Sequence, residues 1–357
     1  MRGGVERVST RTMPASRVLD DLLPRRGGPL PRVAVIGAGV SGLTLARVLA
    51  GAGFPVRVLD KGRGPGGRLS TRRDADGGTF DHGAQYFTAR DPLFVAQVEA
   101  WVAQGLAAPW QGRIGTLEPG AVTPSAKESV RYVGVPGMNS VAKVLADGLD
   151  LRSGVRVERV SRDGKAWRLT SDSGEDLGLA EVVVAAVPAP QAVPLLAGAP
   201  ALADQAKGAR LSPCWAVMAR FEAPVALALD GAFVKDSPLS WVAREASKPG
   251  RASGERWVLH GSPEYSAAHL EETPEEVAPK LLEAFAQALG TGVRAVEAVA
   301  HRWRFSMPSP PLDTRALYDA EAGLGACGDW CAGPRVEGAF LSGVALARRV
   351  VEGVRGP

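Results

Sequence analysis

The residues whose spacing carries the most chemistry are Gly37, Gly39 and Gly42, followed about 20 residues later by Asp60. G-x-G-x-x-G between a strand and a helix is a way of holding two linked phosphates. Gly37 permits the tight turn, Gly39 lets the backbone approach a pyrophosphate, and Gly42 lets the helix pack closely on the strand. The free N–H groups at the helix start, Val40 and Ser41 among them, and the positive end of its dipole then bind the phosphates. Asp60 is placed to accept hydrogen bonds from ribose hydroxyls. The flanking elements fit this use. Val33–Ile36 reads as a buried parallel strand, a helical pattern runs through Leu43, Ala46 and Leu49, and a second strand, Val56–Leu59, ends on Asp60. Gly323, Gly325 and Gly328 match the same expression, but they follow the acidic stretch Tyr318–Glu321 and lead into Asp329–Trp330 with no helix start. That second match reads as chance.

Beyond Asp60 comes Lys61-Gly-Arg-Gly-Pro-Gly-Gly-Arg68, where a nicotinamide dehydrogenase would normally enter an ordinary helix. A flexible loop here carries Arg63 and Arg68 back towards the phosphates, and a guanidinium grips phosphate oxygens bidentately. The run resembles the G-G-R segment of the flavin amine oxidase superfamily. Asp81-His-Gly-Ala-Gln-Tyr-Phe-Thr-Ala-Arg90 and His301-Arg-Trp-Arg-Phe305 resemble the bacterial renalase-like branch of it. Leu324-Gly-Ala-Cys-Gly-Asp-Trp330 with Val336-Glu-Gly-Ala-Phe-Leu-Ser-Gly343 resembles the superfamily's C-terminal FAD segment.

The resemblance covers nearly everything from Pro31 to Gly353 and departs from the pattern at Asp60, where many relatives have Glu. It implies an α/β fold: a Rossmann-type FAD-binding domain of the p-hydroxybenzoate hydroxylase and amine oxidase kind, with an inserted α+β substrate domain built on an antiparallel sheet. The expected division is a disordered extension over 1–30, the FAD-binding domain over 31–92, 136–210 and 300–357, and the substrate domain over 93–135 and 211–299. FAD contacts are then expected at Lys61, Arg63, Gly67 and Arg68, at Gly83, Ala84 and Gln85, and at the backbone of Val157 for the adenine. Asp329 is placed for the ribityl or phosphate-side hydroxyls. The helix start at Val336, Glu337, Gly338 and Ala339 would face the flavin pyrimidine edge, where reduced flavin gathers negative charge.

The implied activity is an oxidase that takes a hydride from dihydro-NAD(P) isomers reduced at ring positions 2 or 6. The hydride passes to flavin N5, and dioxygen reoxidises the flavin to give hydrogen peroxide. Such chemistry needs no strong general base. Gln85, Tyr86, Trp303 and Arg304 are the candidates for holding the substrate ring. Alternation puts His301, Trp303 and Phe305 on one strand face and Arg302 and Arg304 on the other. An aromatic core strand with solvated arginines fits that alternation equally well. A flavin amine oxidase or desaturase acting on another small substrate would share every FAD motif.

At 357 residues, about two domains are expected. A net charge of +4 from scattered arginines leaves no nucleic-acid footprint. Moderate basicity favours a phosphorylated substrate. Cys214, Cys327 and Cys331 make neither a disulfide framework nor a zinc site, and they fit a reducing cytoplasm. A cysteine bonds the flavin in some superfamily members, which marks Cys331. The most apolar stretch, Val182–Ala203, is broken by four prolines, so no membrane partner is expected.

Between the motifs, Pro92–Gln104 reads as a helix, Pro109–Pro124 as a Gly- and Pro-rich loop, Gly154–Val160 as a strand, and Pro274–Leu289 as an amphipathic helix. His301–Phe305 reads as a strand re-entering the FAD-binding domain. Trp215, Trp241 and Trp257 favour core over substrate wall.

Overall fold

The computed structural model describes residues 17–119, 121–125 and 129–354. Its first layer is a six-stranded sheet in the order Leu317–Asp319, Leu324–Ala326, Val182–Ala185, Val33–Ile36, Val56–Asp60 and Asp150–Ser153. All its pairings are parallel except the one to Leu317–Asp319. The central strands are short β-branched and alanine runs buried on both faces, as a covered parallel sheet requires. Their side chains alternate between two cores. Val33, Val35 and Val184 pack under the helices Val40–Gly51 and Val336–Gly353, whereas Ala34, Ile36 and Val183 pack under Ala189–Leu195 and Pro200–Lys207.

The second layer is a seven-stranded sheet. Its order is Ala295–Pro308, Leu211–Phe221, Glu255–Gly261, Leu239–Arg244, Gly231–Val234, Ile114–Glu118 and Ala121–Pro124. One face is covered by the helix Pro274–Leu289, which the sequence marks at both ends. Thr273 and Glu276 form a capping box, and Gly290 closes the helix in the left-handed conformation. Trp215 and Trp257 are fully buried on that side, while Trp241 belongs to the other face.

Four readings of the sequence change. Residues 17–30 are anchored to the first layer: Leu19 is fully buried beside Val40–Gly51, and Arg26 N donates to Ala52 O at 3.1 Å. The apolar side chains Leu19, Leu22 and Leu23 supply that anchor, and residues 1–16 lie outside the described residues. The expected loop 109–124 instead holds two strands, because Ile114 and Leu117 bury themselves in the cores on either side of the seven-stranded sheet. The strand expected over Gly154–Val160 starts at Val157 and belongs to a separate three-stranded sheet; Asp150–Ser153 joins the parallel one. His301–Phe305 lies inside the long edge strand of the seven-stranded sheet, paired with Leu211–Phe221, and does not enter the parallel sheet.

Candidate functional site

Between the two layers, beyond the carboxyl ends of the parallel strands, lies a cleft of about 1930 Å³. That exceeds the roughly 300–1,000 Å³ of a single small-molecule pocket and leaves room for a dinucleotide with a second ligand. The strand exits at Gly37, Asp60, Ala186 and Cys327 all line it, which is the crevice position expected of an open α/β sheet.

The three glycines divide their labour as their spacing predicts. Gly37 has φ of 114° and its missing Cβ accommodates the Ala186 carbonyl. A Cβ on Gly42 would overlap the Gly37 carbonyl and stand 2.9 Å from the Ala186 Cβ, so this glycine brings helix to strand. A Cβ on Gly39 would meet no protein atom within 4 Å. Gly39 lines the cleft, and the open space above it, beside the N-termini of Val40 and Ser41, is where a pyrophosphate fits.

Asp60 Oδ2 accepts from Ala38 N and Oδ1 from Gly62 N, both at 2.6 Å. The carboxylate is thereby fixed with lone pairs left for ribose hydroxyls. Lys61, Arg63, Gly67, Gly83, Ala84 and Val157 line the same cleft.

Other expected contacts move. Arg68 does not reach freely towards the phosphates: its guanidinium holds Asp329 bidentately at 2.6 and 2.8 Å and donates to Ser306 O at 2.7 Å. The two fingerprints, 261 residues apart, are thus tied to each other. Glu337 is turned away, its carboxylate accepting from Arg90 N and Asp91 N at 2.6 and 2.7 Å. Gly338 makes room for the Gly333 carbonyl. The cleft meets Val336 and Ala339, and the helix begins at Val336. The second glycine pattern is followed by a four-residue helix, Asp329–Ala332, although the sequence shows no helix start there. Cys331 is buried and burial pushes its thiol up; Cys327 lines the cleft and burial pushes it up to about 12.

On the facing wall, Trp303 Nε1 donates to His82 O at 2.9 Å, and the two rings stack with centroids 5.2 Å apart. This contact ties the edge strand to the 82–86 loop. Arg304, on the opposite strand face, pairs bidentately with exposed Glu271 at 2.7 and 2.9 Å at the rim of the cleft. Alternation takes its guanidinium away from the face that carries Trp303.

Gln85 is buried against a cluster that the sequence did not reveal. Asp81, Glu245, Lys248 and Arg251 have side chains no more than 1% exposed and form one ion-pair network. Lys248 Nζ donates to Glu245 at 2.7 Å and to Gln85 Oε1 at 3.1 Å. Asp81 also accepts from Thr71 Oγ1 at 2.7 Å and Met138 N at 3.0 Å. Burial pushes its carboxyl up, but Lys248, Arg251 and the hydrogen bond from Met138 N together hold it below the usual range. Burial pushes the Glu245 carboxyl up. The network joins residues 81–85 to the 245–251 loop of the second layer. Asp81 opens the Asp81–Arg90 segment, but Glu245, Lys248 and Arg251 belong to no motif, and only the fold brings the two stretches together.

The sequence also missed His82 and His260 as cleft residues. Burial pushes both down to about 4, and His301 beside His82 adds to that shift. At neutral pH these rings are uncharged. No helix among the described residues is long and apolar enough to cross a membrane.

Comparison with known proteins agrees with this geometry. The family profile described as flavin containing amine oxidoreductase matches residues 121–351, and an NAD(P)-binding Rossmann-like profile matches residues 35–97. Among curated proteins, a zeta-carotene-forming phytoene desaturase of Myxococcus xanthus is 52% identical over 52 residues, 15% of this chain and 10% of that protein. An L-amino-acid oxidase of Daboia russelii is 48% identical over 48 residues, 13% of this chain and 10% of its own. The chain thus spans about a tenth of the length of these relatives.

Among solved structures, an Exiguobacterium sp. 255-15 protein designated a protoporphyrinogen oxidase superposes with a TM-score of 0.74 at 14% identity, covering 92% of this chain and all of that one. A putrescine oxidase superposes with a TM-score of 0.69 at 16% identity, covering 90% and 99%. These likenesses establish the shared fold. With the flavin profile matched across well over half its length, the chain is an FAD-dependent oxidoreductase that belongs to the flavin-containing amine oxidoreductase family.

Proposed function

We propose that the protein is an oxidase of isomeric dihydro-NAD(P), the forms reduced at ring positions 2 or 6, with dioxygen as the second substrate. The observation that carries this reading is the charge of the cleft. Twelve Lys or Arg residues line it against three carboxylates, Asp60, Glu158 and Asp329. The FAD pyrophosphate accounts for part of that excess. Arg72, Arg73 and Arg131 lie outside the fingerprint segments and favour a second polyanion. An amine substrate, cationic at neutral pH, would meet like charge there.

FAD, when bound, supplies a two-electron acceptor that dioxygen restores with formation of hydrogen peroxide. The chain's own residues bind, orient and exclude water. The Gly37–Gly42 turn and the start of the helix Val40–Gly51 would hold the pyrophosphate, the start of Val336–Gly353 would face the flavin pyrimidine edge, Asp60 would hold a ribose, and Val157 would meet the adenine. Gln85, clamped by Lys248, lines one side of the substrate ring and Trp303, fixed by His82, lines the other; Tyr86 packs on Trp241 farther along the wall. The neutral His82 and His260 keep titratable charge away from the path of the hydride. No base is needed to remove a proton.

The test is oxygen consumption with each dihydro-NAD(P) isomer, compared with putrescine and with amino acids. Rapid turnover of the isomers with one peroxide per substrate oxidised is expected. Turnover of amines or amino acids alone would give the site to the other activities of its superfamily.

A further inference from the structure

The seven-stranded sheet carries one cross-strand row along its cleft face. Phe233 pairs with Trp241, Trp241 with His260, His260 with Ala216, and Ala216 with His301. Directly opposed residues share a face, so this row is a continuous floor. At about 4.8 Å per strand, it runs roughly 19 Å from His301 to Phe233. The Trp303 end stands beside His82. The far end is different in kind. Phe233 is 43% exposed although it lies in a cleft, and its ring meets Trp241 edge-on at 4.8 Å. Tyr86 packs on Trp241 at 5.6 Å, and the Arg131 guanidinium sits over the Tyr86 ring at 5.2 Å. An apolar ring left exposed in a concave, basic site is a surface for a flat ligand.

We infer that Phe233, Trp241 and Arg131 form a stacking subsite for the second base of the dinucleotide substrate, the ring that does not react. This inference rests on the dihydro-NAD(P) reading. It goes further by assigning the two rings of that substrate to opposite ends of one sheet row. A single nucleotide is too short to occupy both ends, whereas a dinucleotide spans the row with its phosphates among the arginines. Bases stack on aromatic side chains whatever their identity, so the subsite takes adenine through its face.

The experiment compares the 6-dihydro isomers of NAD and of nicotinamide mononucleotide as reductants of the FAD-loaded protein, wild type and Phe233→Ala. Because Phe233 is partly exposed, its loss leaves the core intact, and the flavin spectrum reports folding. The expected result is a KM raised about tenfold for the dinucleotide and unchanged for the mononucleotide. The limiting rate of flavin reduction stays the same for both, and Phe233→Trp restores the dinucleotide KM. Equal effects on both reductants, or none on either, would overturn the subsite while leaving the dihydro-NAD(P) reading in place. A wild-type flavin reduced by neither isomer would overturn that reading and the subsite with it.

Discussion

The two walls of the cleft are built by different means. On the parallel-sheet side the proposed binding surface is mostly backbone: glycines without side chains, helix starts, and one acid held by main-chain N–H groups. On the seven-stranded-sheet side the wall is made of side chains, and Gln85 and Trp303 are set by partners far away in sequence. A backbone site needs particular residues at fixed intervals along one stretch, so it leaves a pattern. A side-chain wall needs only the right register between strands, and register leaves none.

Breaking the first wall should have the largest effect. Gly42→Val puts a branched side chain onto the Gly37 carbonyl and Ala186. The purified variant should be nearly colourless, with FAD retention close to nil by absorbance; a fully yellow variant would deny that this turn holds the cofactor.

The hinge between the walls comes next. Arg251→Met leaves Asp81 and Glu245 buried with Lys248 as their remaining cation. Removing one partner from such a network costs about 3–5 kcal/mol, to be read from urea unfolding of the FAD-loaded protein. A loss below about 1 kcal/mol would mean that water reaches the cluster.

Within the second wall, two neighbours on one strand should behave oppositely. Trp303→Ala removes the ring that anchors His82 and should slow flavin reduction by tenfold or more with FAD still bound, since small misplacements at a reacting centre carry large rate penalties. Arg304→Ala breaks only an exposed pair and should change that rate by less than about twofold. Similar rates for the two variants would erase the distinction between the strand's faces.

The smallest effect is on stability against pH. Histidines in the unfolded chain take up protons near pH 6.5, whereas His82 and His260 do so only near 4 in the fold. Between these values the unfolded chain binds more protons, so stability is full above about 6.5 and falls as pH drops towards 4. The urea midpoint should therefore be lower at pH 5 than at pH 7, and His82→Phe should shrink the difference.

What was legible in the sequence follows the same division. Gly37, Gly39, Gly42 and Asp60, and the helix from Pro274 to Leu289, are written locally and stand where expected. The side-chain partners of Arg68 and Glu337 were not legible, because a charged group near a phosphate site pairs with whatever the fold brings nearest: Asp329 for one, the Arg90 and Asp91 amides for the other. The sequence marked Asp81, Trp241 and His301 but not their partners Glu245, Lys248, Arg251 and Phe233. They depend on the pairing of strands that the chain visits at distant points. The segment 109–124 shows the same limit at the level of elements, since glycines and prolines that read as a loop also flank short strands.

The most direct test of the central claim is anaerobic mixing of the FAD-loaded protein with the 2- and 6-dihydro-NAD(P) isomers, watching the flavin absorbance band. The account predicts rapid bleaching by the isomers and recovery of the band with peroxide when air is admitted. Bleaching by amines and not by the isomers would contradict it.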